Sequence, residues 1–194
     1  LEFVCTADEE RGMTGVEAFD GSLIQGSILI NLDSDDEGIF IIGCAGGPVV
    51  KVFLPIAWEA APAGASCLKI SVKGLLGGHS GEDIHRNRAN SIKLLTRILC
   101  NIKESVDFSL VDYMGGLKYN AIPREAEAVI AVSAGDVAQV EQMVAEYQTM
   151  VTKEYRFSDP DIAITCEAAG AADRALAKAS RDSLLNYLYF TQSG

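Results

Sequence analysis

Histidine is scarce in this 194-residue chain, which carries two, and none of its five cysteines is spaced as Cys-x-x-Cys. A metal site built mainly from imidazoles or thiolates therefore has to draw ligands from elsewhere, and a disulfide framework is not indicated. Cys5, Cys44, Cys67, Cys100 and Cys166 are scattered along the chain and read as reduced, mostly buried thiols of a cytoplasmic protein. Basic charge is also in deficit: 16 Lys and Arg stand against 27 Asp and Glu, a net charge of −11. That balance argues against nucleic acid or an anionic membrane as partner, since both select for Lys and Arg. No apolar run approaches the ~20 residues of a membrane span. No Gly-rich phosphate loop or Cys–His nucleophile pattern occurs, and no signal peptide is visible in these residues.

What is there suits a folded core. Hydrophobic residues make up 48% and charged residues 22%, enough for one ordinary domain or two small ones. The chain starts without Met, inside an apolar run, Leu1 to Cys5, that reads as a truncated strand, so the expectation is a piece of something longer. Ser27 to Leu32 and Ile39 to Cys44 read as further buried strands, and Val49 to Ala57 as extended. Ala60-Ala61-Pro62-Ala63-Gly64-Ala65 is the best linker candidate, which divides the chain into 1–60 and 61–194.

Beyond the linker the patterning becomes regular. Cys67 to Leu75 alternates as a half-buried strand, and apolar residues from Asn87 to Lys103 repeat at helical spacing. Phe108 to Met114 and Ala126 to Val132 read as strands. Ser133 to Asp136 resembles a capping box ahead of a helix with the stripe Val137, Val140, Val144, Tyr147 and Val151. Asp161 to Glu167 reads as a strand and Asp173 to Phe190 as one helix. The order β-α-β-β-α-β-α predicts helices packed on a mixed or antiparallel sheet, an α+β sandwich.

Two acidic clusters, Asp8-Glu9-Glu10 and Asp33-Ser34-Asp35-Asp36-Glu37, follow the first expected strands. In an open α/β sheet, loops at strand ends line the ligand crevice. Adjacent carboxylates are stable there when solvated or when a cation neutralises them, and this spacing is compatible with both readings. His79 sits in Gly77-Gly78-His79-Ser80-Gly81, a turn flexible enough to approach a ligand; a loop histidine of no special role fits as well. His85 reads as structural or surface. Asn120 and Arg124 follow a turn, where an Asn commonly caps the loop and where either side chain is able to hold a carboxylate.

Five segments together resemble a known family: Thr6-Ala7-Asp8-Glu9-Glu10-x-Gly12-Met13-Thr14-Gly15, Asn31-Leu32-Asp33-Ser34-Asp35, Gly43-Cys44-Ala45-Gly46-Gly47, Gly77-Gly78-His79-Ser80-Gly81-x-Asp83-Ile84-His85-x-x-Arg88 and Asn120-Ala121-Ile122-Pro123-Arg124-Glu125. In this order they are similar to the aminoacyl-histidine dipeptidases, within the co-catalytic zinc exopeptidases and deacylases. The resemblance implies part of an α/β catalytic domain (1–60) followed by an α+β sandwich lid and dimerisation domain (61–194). It implies a dizinc enzyme cleaving Xaa-His dipeptides, and a homodimer formed through the lid. By the resemblance, Glu9 is the general base, Glu10 and Asp33 bind the two zinc ions, His79 reaches the substrate carbonyl, and Asn120 holds the substrate carboxylate. The family's His-x-Asp motif, its zinc-bridging Asp and its last metal histidine have no match here, so the chain alone is expected to be inactive. The alternatives are a metallo-deacylase with another substrate and a non-catalytic dimerisation fragment or degenerate homologue.

Overall fold

Apolar side chains recur every second residue in Ser66–Lys73 and at helical spacing in Ser91–Ser105, and these segments form strand and helix respectively. The computed structural model describes residues 1–9, 12–33, 37–43 and 50–192. The chain divides into two compact units, Leu1–Val50 and Lys51–Gly194.

The larger unit is built on a four-stranded antiparallel sheet of β2 (Ser66–Lys73), β4 (Ser109–Gly115), β6 (Ala126–Val132) and β7 (Ala163–Ala168), in the order β4-β6-β2-β7. The helices α2 (Ser91–Ser105) and α3 (Val137–Glu154) contribute to the same core. Leu68, Ile70 and Val72 of β2 and Ala128, Ile130 and Val132 of β6 meet Leu95, Ile98, Leu99 and Ile102 of α2 and Val140, Val144 and Val151 of α3. Full burial of each large aliphatic chain stabilises by about 1.5–3 kcal/mol. Alternating residues of β2 and β6 carry cross-strand polar pairs: Glu127 lies opposite Ser71 and takes Lys73 at 2.7 Å.

A bulge between Leu110 and Asp112 keeps β4 useful to the core. Leu110 pairs with Ile130 and Tyr113 with Ala128, so both face inward although three positions apart, which a regular strand of period two forbids. The Tyr113 hydroxyl thereby reaches the Ile92 carbonyl (3.0 Å) and the Thr96 hydroxyl (2.8 Å) on α2.

Two short pairings accompany the sheet. β1 (Trp58–Ala60) runs antiparallel to β8 (Arg174–Leu176), and β3 (Gly78–His79) to β5 (Ala121–Ile122). The segment expected as one helix over 173–190 is therefore split into β8 and α4 (Lys178–Phe190). Its first residues are captured by a strand more than 110 positions earlier, an override that local propensity does not contain. The expected capping box differs too: the Ser133 hydroxyl bonds the Asp136 carboxylate (2.7 Å), and the Asp136 side chain caps no backbone N–H.

The smaller unit holds α1 (Thr14–Glu17) and a 3₁₀ turn, Gly21–Leu23, as its regular elements among the described residues. Leu1 to Cys5, Ser27 to Leu32 and the described part of Ile39 to Cys44, expected as strands, form none. A strand exists through its ladder, and no ladder partner is present for these runs among the described residues. Their side chains are correspondingly bare, with Ile28 at 83% and Phe40 at 93% exposure. Instead, the Glu2 carboxylate accepts the N–H groups of Gln25 and Gly26.

Candidate functional site

The acidic loop closes on itself through main-chain geometry. Asp8 (φ 72°) and Met13 (φ 60°) take left-handed conformations, and the Met13 N–H donates to the Asp8 carbonyl (2.9 Å). The Thr14 hydroxyl donates to the Asp8 carboxylate (2.7 Å), and the Gly12 N–H to the Glu9 carbonyl (3.3 Å). Gly15 is required here, because a Cβ would enter the Ala7 backbone. Asp8 is thus engaged within the loop, whereas Glu9 is exposed. Glu10 lies outside the described residues, as do Ser34, Asp35 and Asp36. Asp33 is exposed and its N–H is held by the Asn31 side chain (3.0 Å), an Asx turn ending the apolar run. Among the described residues no three His, Cys, Asp or Glu side chains assemble into a metal-holding group. Asp33 has the oxygen chemistry of a divalent-metal ligand, but the described donors by themselves do not complete a site.

In the larger unit the structure brings the backbones of His79 and Asn120 together. His79 pairs with Ala121 across β3 and β5, and the Ser80 N–H donates to the Asn120 carbonyl (2.9 Å). The loop carrying His79 is clamped at both ends by one buried carboxylate: Asp159 accepts the Leu76 N–H (2.9 Å) and the Ala89 N–H (2.8 Å). Arg124, a candidate carboxylate holder by sequence, donates its Nε to the Leu75 carbonyl (3.0 Å) and so braces the same loop. His85 is exposed in the 3₁₀ turn Ile84–Arg86.

The imidazole of His79 folds back over its own loop. Its Nδ1 lies 3.2 Å from the N–H groups of both Gly81 and Glu82, which donate to it. A nitrogen that accepts carries no hydrogen, so the neutral ring holds its proton on Nε2. Among the described residues Nε2 has no hydrogen-bond partner and is free to donate outward. Beside this hairpin lies a cleft of about 450 Å³ lined in part by Ser80, Ile84, Lys118, Tyr119, Ile122 and Gln192. It is flanked by the residue after His79 and by both neighbours of Asn120.

Residues 70–159 match the peptidase dimerisation domain family. The chain is 40% identical over all 194 residues to the cytosol non-specific dipeptidase of Escherichia coli K12, and covers 40% of that protein. Its fold is similar to the crystal structure of the aminoacylhistidine dipeptidase of Vibrio alginolyticus, at 31% identity and a TM-score of 0.72, covering 95% of this chain and 38% of that one. The chain is thus similar to these dipeptidases over its whole length, and residues 70–159 carry the peptidase dimerisation domain. It spans about two fifths of the length of the relatives it matches. The α+β lid and dimerisation fold expected for the second part of the chain is the fold present, and the family matched by sequence includes a dimerisation domain in that part.

Sequence reasoning missed the supports of His79. Asp83 had a usable signal, an Asp four residues after the histidine in a glycine-rich loop, where Asx acceptors are common. Asp159 had none, since it acts on N–H groups 83 and 70 positions earlier.

Proposed function

We propose that this chain supplies part of the active site of a metal-dependent dipeptidase that cleaves Xaa-His dipeptides. The observation that carries the reading is His79, whose loop saturates Nδ1 and leaves Nε2–H as a fixed outward donor. Such a donor suits an oxygen that gains charge as a carbonyl is attacked, and a preorganised donor of this kind is worth about 10²–10³ in kcat. Glu9, exposed in a loop whose neighbouring carboxylate is already engaged, takes the proton from the attacking water and returns it to the leaving amine. Asn120, beside the cleft, presents an amide to the substrate carboxylate. Glu10 and Asp33 contribute carboxylates to zinc, and the remaining ligands come from outside this chain. Zinc held there would supply Lewis acidity, polarising a carbonyl and lowering the pKa of water.

The substrate class follows the name of the Vibrio alginolyticus relative; the Escherichia coli relative's name supports a second reading, a broader dipeptide range. A cytoplasmic location accords with the latter name, and the dimerisation domain supports a homodimer formed through residues 70–159. Among the described residues no helix is long and apolar enough to cross a membrane.

The deciding experiment compares zinc content and hydrolysis of Xaa-His and other dipeptides by this chain and by its full-length parent. The expected result is Xaa-His activity with about two zinc ions in the parent and none in the chain. Hydrolysis of all dipeptides at similar kcat/KM selects the broader range, and a parent without peptidase activity removes the proposal.

A further inference from the structure

His79 is held in place by the Asp83 side chain. The Asp83 carboxylate accepts the His79 N–H (2.9 Å), while the Asp83 N–H donates back to the His79 carbonyl (3.0 Å). This reciprocal pair closes the five-residue turn whose N–H groups, those of Gly81 and Glu82, hold Nδ1. Asp83 is itself fixed: Arg86 Nε lies 3.0 Å from one carboxylate oxygen, and Arg88 lies 3.7 Å from the other while its guanidinium donates to the Gly77 carbonyl. The His79 N–H, followed by the Arg86 and Arg88 charges, holds the Asp83 carboxyl below the usual carboxylate range against the opposing effect of desolvation. The backbone is shaped for this contact. Gly78 has φ 137°, and a Cβ there would strike the Asp83 carboxylate and the Arg88 guanidinium. At Gly81 a Cβ would lie 3.4 Å from the His79 ring. These glycines are the room in which the ring and the carboxylate fit.

We infer that Asp83 is a positioning residue, which locks the turn so that His79 presents its Nε2–H outward in one orientation. The inference rests on the proposed role of His79, and Asp83 touches no reacting atom. Without the carboxylate, the turn loses the bond to the His79 N–H, Gly81 and Glu82 no longer converge on Nδ1, and the ring samples rotamers in which Nε2–H is misdirected. A donor misplaced by about 1 Å costs up to 10²-fold in rate.

The test is a double-mutant cycle in the full-length, metal-loaded enzyme, with kcat, KM, zinc content and Tm measured for each variant. Asp83→Ala is expected to lower kcat about 10-fold with zinc content unchanged, and Asp83→Asn, which keeps an acceptor oxygen, to restore it to within about 3-fold. In a His79→Ala background, Asp83→Ala is expected to change kcat by less than about 2-fold, because the group it positions is gone. An equal loss in both backgrounds, or none with His79 present, overturns the inference. If Asp83→Ala does not fold, the same cycle with Asp83→Leu, which fills similar space and has no acceptor oxygen, decides: a loss confined to the His79 background supports positioning, and an equal loss or none overturns it. His79→Ala alone separates the two levels, since wild-type kcat in that variant removes the proposed role of His79 itself.

Discussion

The two units of the chain have similar apolar character and opposite fates. In the larger unit Leu95, Ile98, Leu99 and Ile102 are each wholly buried, whereas in the smaller unit Leu29 is 86% and Ile42 102% exposed. Hydrophobic side chains are equally available in both; what differs is the surface offered to them. In the larger unit the sheet supplies inward-facing strands for α2 and α3, and every ladder has a partner. Among the described residues the smaller unit has no strand pairing at all. Apolar sequence is therefore a capacity for burial, and the partner element converts it into stability.

The proposed chemistry divides along the same line, with the proton carrier in one unit and the substrate-facing donor in the other. Glu9→Ala in the full-length enzyme sharpens that division most. It is expected to lower kcat by about 10³-fold, the scale of a general base, while atomic absorption finds zinc content unchanged. Asp33→Ala should instead lower the zinc stoichiometry. The comparison of burial is broken or kept by a matched pair in the present chain. Leu95→Ala is expected to destabilise the larger unit by about 3 kcal/mol in urea unfolding, and Leu29→Ala to change stability by less than about 0.5 kcal/mol. Equal losses would contradict the contrast between the units.

Asp159→Ala comes next, at about 2–3 kcal/mol, because it leaves the Leu76 and Ala89 N–H groups without their acceptor. Smaller still is a pH effect confined to the larger unit. Burial, partly offset by the Thr96 hydrogen bond, pushes the Tyr113 hydroxyl up to about 12 from 10.0. A raised phenol pKa favours the neutral group in the folded state. Its contribution is complete below pH 10 and is lost as pH rises toward 12, at most about 3 kcal/mol. Tyr113→Phe should flatten that part of the alkaline unfolding profile. The smallest effect is one of reactivity: Cys5 is exposed, while burial pushes the Cys166 thiol up to about 11, so alkylation at pH 8 should proceed at Cys5 well before Cys166.

Much of the larger unit was legible because its elements announce themselves locally. β2 alternates, α2 and α3 carry stripes, and Gly115-Gly116 punctuates the turn before β5 and β6. The split of 173–190 into β8 and α4 was not legible, since β1 decides it from a distance. At the site, His79 and Asn120 were readable as loop residues within motifs. That Asp159 clamps both ends of the His79 loop, and that Arg124 braces it at the Leu75 carbonyl, depends on contacts no spacing rule encodes.

The sequence by itself determined the periodicities, the acidic balance and the motif order, because these are properties of neighbours along the chain. Tertiary structure alone decided which apolar runs are buried and which imidazole nitrogen of His79 is left free to donate. Burial and hydrogen-bond partners are supplied by residues distant in sequence or by the particular closure of a turn, and a side chain's chemistry is fixed only once those neighbours are in place.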